Sequence, residues 1–430
     1  MKNFQLIILI VFIAAAIFGV LVFSGAIPIG KSSSAGGLGA VVLWGTVPAT
    51  VIAAPLEDFN NAHPSFVVKY VEKSSDSFDN DLLEALASGT GPDLLFLPDN
   101  LVYHYANKIF TIPYSSYPLA NFKNSFAEAG EIFLTAKGIL AFPMSIDPLV
   151  MYYNRSMLNS AGVVSPPASW DDFTSVVPSL VQKDSSGQLT KEAVALGHFS
   201  NVANAKDILA TLFMQTGNPI VAENNGVFSS TLGLATSNLP SVLQFYTSFA
   251  DPSQPSYSWN ASFPDSTDQF SAENLAFYFG FASELQSLVN KNPNQDFFVA
   301  PVPQIKNSNF KLTSARVMGL AVLSSSKNFN TAYLAANLLA SSDFAGKFAA
   351  ATGVAPARRD LLAKIPTDAY SPIFYGSALY AKSWLDPSEA DTDNIWSGMI
   401  DNVLSGNMSA NDSIHDADSK MQLLLLNSNQ

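Results

Sequence analysis

Three short apolar runs, AVVLW (40–44), SFVVKYVEK (65–73) and DLLFL (93–97), are separated by two stretches with helical spacing. Runs of this length read as strands, and their alternation with helices implies a parallel sheet with right-handed crossovers. The first helix is expected from about Pro48 to just before Pro64, with Pro55 kinking it or marking its true start. The second, FDNDLLEALAS, has Gly89 placed to cap its C-terminus. Gly89-Thr90-Gly91-Pro92 then lets the backbone reverse into DLLFL. Ligands of open α/β sheets lie beyond the carboxyl ends of the strands, here 44–46, 72–76 and 98–100.

Composition narrows the partners. The 430 residues are 48% hydrophobic and only 13% charged, with a net charge of −13. An acidic surface repels phosphate backbones, so nucleic acid is not an expected partner. Without cysteine there is no disulfide, thiolate metal site or cysteine nucleophile. The four histidines have no metal-binding spacing, and neither a metal nor a cofactor is expected. The glycines at 36–39 lack the GxGxxG pattern of a dinucleotide loop.

Residues 6–23 carry no charged or polar side chain, and Lys2 precedes them. Eighteen such residues approach the ~20 that span a bilayer, with the N-terminus held on the cytoplasmic side. Residues 1–29 read as a transmembrane anchor, or as a signal cleaved near Ser24-Gly25-Ala26; either way the rest is exported. Residues 30–39 form a flexible linker.

Further along, GILAFPMSIDPLVMYYNRSML (138–158) reads as a strand pair interrupted at Ser145-Ile146-Asp147. Ser169 is placed to cap a helix, with Asp172 favouring its N-terminus and Trp170 packing. FFVAPVP (297–303) and VMGLAVLSSS (317–326) read as strands, while 330–341 and 394–406 read as helices.

In this order the segments resemble the extracellular solute-binding proteins of ABC importers, carbohydrate-type (maltose-binding-like) group. The phrases that carry the resemblance are LEDFNNAHPSFVVKY, LLEALASGTGPDLLFL, GILAFPMSIDPLVMYYNRSMLNSAGVVSPPASWDDF, FFVAPVPQ and SSSKNFNTAYLAANLLASSDFAGKFAAATGVAPARRDLL. It implies an α/β, type II periplasmic-binding-protein-like fold of two lobes around an interlobe cleft. The first lobe is expected over 40–146 plus 307–362 and the second over 150–302 plus 368–425. Crossings are expected near 145–150, 301–306 and 362–368.

The resemblance also directs attention to residues that would hold a solute. Sugars are gripped by flat aromatic faces and by side chains that bond hydroxyls. Trp44 ends the first strand, Asp147 lies in the first crossing, and Asp99 and Asn100 end the third strand. FYFGFASELQ (277–286) matches a turn that carries a cleft aromatic, but the usual tryptophan is absent, leaving Phe281 and Glu284 as candidates. That departure argues against a typical maltodextrin subsite. Trp259 and Trp396 complete the set.

The implied function is capture of a small solute, a sugar or oligosaccharide, for delivery to ABC permease subunits by an extracytoplasmic monomer held to the membrane by its N-terminal helix. Aromatic and acidic candidates with few basic groups favour a neutral or amino sugar; a polyamine or another small organic solute competes. A membrane-anchored sensor or adhesion module of the same fold is the alternative. No GxSxG elbow and no local carboxylate pair stands out, so no catalytic residues and no enzyme activity are expected.

Overall fold

The computed structural model describes residues 37–224, 226–234 and 238–427. The anticipated membrane segment at 6–23 lies outside them. Among the described residues no helix is long and apolar enough to cross a membrane.

The opening βαβαβ unit forms as its spacing dictates. Strand Ala40–Gly45 pairs in parallel with Val67–Glu72 on one side and with Leu94–Pro98 on the other. Helix Ala49–Ala62 runs through Pro55 and turns Ile52, Pro55, Leu56 and Phe59 inward. Burying Ile52, Leu56 and Phe59 contributes ~1.5–3 kcal/mol each. Helix Phe78–Ser88 ends on Gly89 with φ +67°, in the left-handed region where a side chain is strained.

A single mixed sheet of eleven strands underlies the molecule. From one edge its main path runs Val67–Glu72, Ala40–Gly45, Leu94–Pro98, Thr313–Val322, Ala141–Asn154, Leu275–Phe281, Leu189–Val194 and Gln182–Lys183. The buried side chains nevertheless gather into two clusters. One draws on residues 41–146 and 315–362, with Ala378 and Ala381. The other draws on 149–312, with Phe374 and residues from 396 to 425. Each cluster is the core of one lobe.

Where 138–158 suggested two strands with a polar break, one strand of 14 residues continues from Ala141 to Asn154, and a helix follows from Arg155. Its first half packs into one core and its second half into the other. The polar residues are accommodated by pairing: Ser145 lies opposite Met318, Ile146 opposite Val317 and Asp147 opposite Arg316. Met144 is the extra residue where the register shifts between Met318 and Gly319.

The return passage also lies later than 301–306. Val302 and Leu312 both pack in the second core, and Gln215 Nε2 donates to the carbonyls of Pro303 (3.0 Å) and Leu312 (2.9 Å). The chain changes lobes between Leu312 and Ala315, at the start of Thr313–Val322. After Leu362 it weaves, with Phe374 in the second core, Ala378 and Ala381 in the first, and Trp396 in the second again.

Candidate functional site at the interlobe seam

The two paired crossing strands bring charged groups of both lobes together around Arg316. Asp147 lies opposite it in register. Asp207, in the first turn of helix Ala205–Gln215, comes within 3.8 Å of its Nη2. The guanidinium lies 3.8 Å from the centroid of the Phe281 ring, a cation–π contact. Its Nη2 also donates to Asn204 Oδ1 at 3.2 Å. Asn204 has φ +58°, a conformation that asparagine tolerates better than most residues and that clusters at functional sites.

Asp99 follows the third strand and is 8% exposed. Ser383 Oγ donates to its Oδ2. Burial pushes its carboxyl up to about 6, while the Ser383 hydroxyl, a Val317 backbone bond and Arg316 oppose the rise and Asp207 adds to it. Asp147 Oδ1 accepts from Ser283 N at 2.9 Å. Its carboxyl is also pushed up to about 6, by burial first, with Ser283 and Arg316 opposing and Glu284 adding. Asp207 reaches about 6 for the same leading reason, opposed by Arg316 and Lys206. Three carboxyls raised by burial, from three different elements, thus lie near the crossing strands, and of these Asp207 comes within ion-pair distance of the guanidinium.

A second nearby cation, Lys206, is already committed. Burial works against the Lys206 ammonium, but Asp386 at 3.0 Å and Asp393 at 2.6 Å outweigh it and hold its pKa above the usual lysine value. The lobes also touch directly. Asn100 Nδ2 donates to Glu389 Oε2 at 2.7 Å, and the Tyr103 hydroxyl donates to Leu425 O at 2.8 Å. Asn100 Oδ1 is enclosed without a hydrogen-bond partner. Beside Ser383 a groove of about 950 Å³ opens between the lobes, with Tyr103, Ile132, Met214, Phe228 and Trp384 in its walls.

Of the residues singled out from sequence, Asp147 lies opposite Arg316 and Phe281 lies against its guanidinium, while Asp99, bonded to Ser383, and Asn100 lie on the same seam. Glu284 is adjacent but fully engaged. It accepts from the Tyr278 hydroxyl, from Phe281 N at 2.9 Å and from Asn204 Nδ2 at 2.8 Å, so it orients the turn and Asn204. Gly280 makes room for this, since a Cβ there would lie 2.9 Å from Glu284 Oε2.

The tryptophans are placed differently. Trp44 packs on the first core with the Lys73 ammonium 4.0 Å from its ring centroid, and takes no part in the Arg316 network. Trp259 and Trp396 are fully buried in the second core and present no face to a solute. The Trp259 indole N–H donates to Asn201 Oδ1 at 3.0 Å. Trp396 lies against Trp384 and Phe213. Arg316, Asn204, Asp207 and Ser383 were not anticipated. An arginine at the head of the neutral run VMGLAV was the available signal for the first; the left-handed Asn204 leaves none.

Two lobes on a shared sheet, with polar groups of both at the seam, define a two-lobed binding protein. Residues 45–346 match the family described as bacterial extracellular solute-binding protein, and the chain belongs to that family. Binding proteins of Brucella abortus (strain 2308) and Brucella suis biovar 1 are 24% identical over 119 residues, 27% of this chain. The matched region spans 28% of the length of these curated relatives. A cyclic alpha-maltosyl-1,6-maltose binding protein from Arthrobacter globiformis superposes with a TM-score of 0.75 at 16% identity, covering 90% of this chain and 99% of that one. The sugar-binding protein of Xanthomonas citri gives 0.74 at 16% identity, covering 91% and 98%. At such identities the likeness establishes the fold.

Proposed function

We propose that this protein captures a small solute of the saccharide type at the interlobe seam and hands it to the membrane subunits of an ABC importer. The observation that carries the reading is the convergence of Asp99, Asp147, Asp207 and Arg316 from both lobes onto the two crossing strands. A group held by residues of both lobes favours their closed arrangement, the hinge logic of two-lobed binders. Family membership and the saccharide ligands of the structural relatives support the solute class. The apolar residues 6–23 support tethering of the lobes to the outer face of the membrane.

Thermal unfolding of the purified full-length chain against monosaccharides, oligosaccharides, polyamines and peptides tests the reading. A ligand at 100 times its Kd stabilises the folded state by about 2.7 kcal/mol. A saccharide that raises the unfolding temperature in wild type but not in Asp147→Ala bears the proposal out. Stabilisation by peptides alone, or by nothing in the panel, refutes it.

A further inference from the structure

We propose that the groove beside Ser383 holds an uncharged oligosaccharide of about three sugar rings, with Trp384 as the platform on which a ring stacks. This rests on the reading of saccharide capture, and seats the rings away from Arg316. Asp207 near Arg316 and Met214 in the groove wall are seven residues apart on helix Ala205–Gln215, about 10 Å along its axis. Leu312 of the groove and Arg316 are four residues apart, about 13 Å of extended chain.

The groove provides flat rings already held in place. Trp384 is half-buried, and its ring is backed by that of the fully buried Trp396, with centroids 5.8 Å apart and planes 29° from parallel. Tyr103 is pinned by its hydroxyl bond to Leu425 O and meets the Phe228 ring edge to face at 5.4 Å. Such rings bury large apolar faces with little loss of side-chain freedom. The charges in the walls balance. Glu128 pairs with Lys382 at 2.9 Å and Glu131 with Lys123 at 3.0 Å, while Glu223 and Lys137 contribute one charge of each sign. A charged occupant therefore meets no net opposite charge. Asn107, Thr111 and Asn218 add amide and hydroxyl groups that suit sugar hydroxyls. A wholly apolar occupant would strip water from them without replacing its bonds. Size sets the ring number: pockets that enclose a drug-sized molecule run ~300–1,000 Å³, and at about 950 Å³ this groove leaves a single ring loosely held.

Calorimetric and fluorescence titration of the full-length protein with maltotriose, cellotriose and mannotriose, and with glucose and mannose, tests the inference. One trisaccharide is expected to bind at least ~10-fold more tightly than its monosaccharide and to change the tryptophan emission. Trp384→Ala should weaken that binding ~10-fold or more, whereas Trp384→Phe should keep most of the affinity and lose the emission change. Ala136→Trp, at an exposed position on the groove wall, should also weaken binding by filling the groove; its exposure leaves the fold intact and keeps the test decisive if Trp384→Ala unfolds. A trisaccharide that binds both Trp384→Ala and Ala136→Trp as it binds wild type, but not Asp147→Ala, overturns the groove and leaves saccharide capture at the Arg316 seam standing. A monosaccharide bound as tightly as its trisaccharide overturns the assignment of length. Silence from every sugar overturns both readings.

Discussion

Acidification from pH 7.5 to 5 is expected to stabilise the unliganded protein, against the usual loss of stability in acid. Asp99, Asp147 and Asp207 each have a folded-state value of about 6 against an ordinary 3.8. A carboxyl with a raised value binds its proton in the folded state first. Folding is therefore penalised above about pH 6, and the penalty is relieved as pH falls through 6 towards 4. At pH 5 such a group is about nine-tenths protonated when folded and about one-twentieth when unfolded, a relief of about 1.4 kcal/mol. Three independent groups would give about 4 kcal/mol. Solvent screening at Asp207, whose side chain is 23% exposed, and mutual coupling reduce this to roughly 2–3 kcal/mol. Other groups are shifted as well, Asp386 among them, raised by burial and acting in the same direction. Burial pushes Glu192 up to about 7, which acts in the same direction. Burial lowers His198, which opposes it as pH falls. The assay is urea unfolding at both pH values for the wild type and for Asp99→Asn/Asp147→Asn/Asp207→Asn, so that Glu192 and His198 cancel in the difference. Equal pH dependence in the two proteins would refute the account of the seam.

Other perturbations probe separate parts of the reasoning. Arg316→Met removes the cation beside Asp207 and opposite Asp147; because its side chain is 54% exposed, the cost should be about 0.5–1 kcal/mol at pH 7.5 and less at pH 5, read by the same unfolding series. Asn204→Ala removes three hydrogen bonds and places a less tolerant residue at φ +58°; a loss of about 2 kcal/mol is expected, with Asn204→Gly recovering the backbone part. Trp259→Phe opens a cavity and orphans Asn201 Oδ1, lowering stability by about 1–3 kcal/mol while leaving solute affinity unchanged by calorimetry. Gly89→Ala should cost about 1 kcal/mol by thermal unfolding, because only the backbone conformation is affected.

Legibility in the sequence followed how local the governing physics was. The βαβαβ opening, the Gly89 cap and the Ser169 cap, whose Oγ accepts from Asp172 N at 3.2 Å, all depend on neighbours within a turn or two. The continuity of Ala141–Asn154 was hidden by the polar Ser145 and Asp147, which read as a break between two strands, and Pro143 and Pro148 ordinarily exclude a central strand as well. Pro143 is tolerated beside the register shift at Met144, an irregularity fixed only by the opposing strand. The second lobe's tryptophans were ambiguous for a different reason, since indole serves cores and ligand sites equally well. For Trp396 the decisive pattern was present: Thr392, Trp396, Met399 and Ile400 form the inward stripe of helix Glu389–Leu404. Asp99 and Asp147 were reachable because they stand at a strand end and in a crossing. Arg316, Asp207 and Asn204 meet them only through pairings between segments far apart in the chain.

The placement of Thr313–Val322 has a consequence for the order in which the molecule comes into being. This strand sits between Leu94–Pro98 and Ala141–Asn154, pairing with both. A chain emerging residue by residue therefore leaves the apolar edge of Leu94–Pro98 unpaired until nearly the whole second lobe has followed. Such long-range closure makes folding slow and exposes a sticky strand edge in the interim. A polypeptide whose first lobe cannot close early remains threadable for longer, a useful property in one that must pass through a membrane before it takes shape.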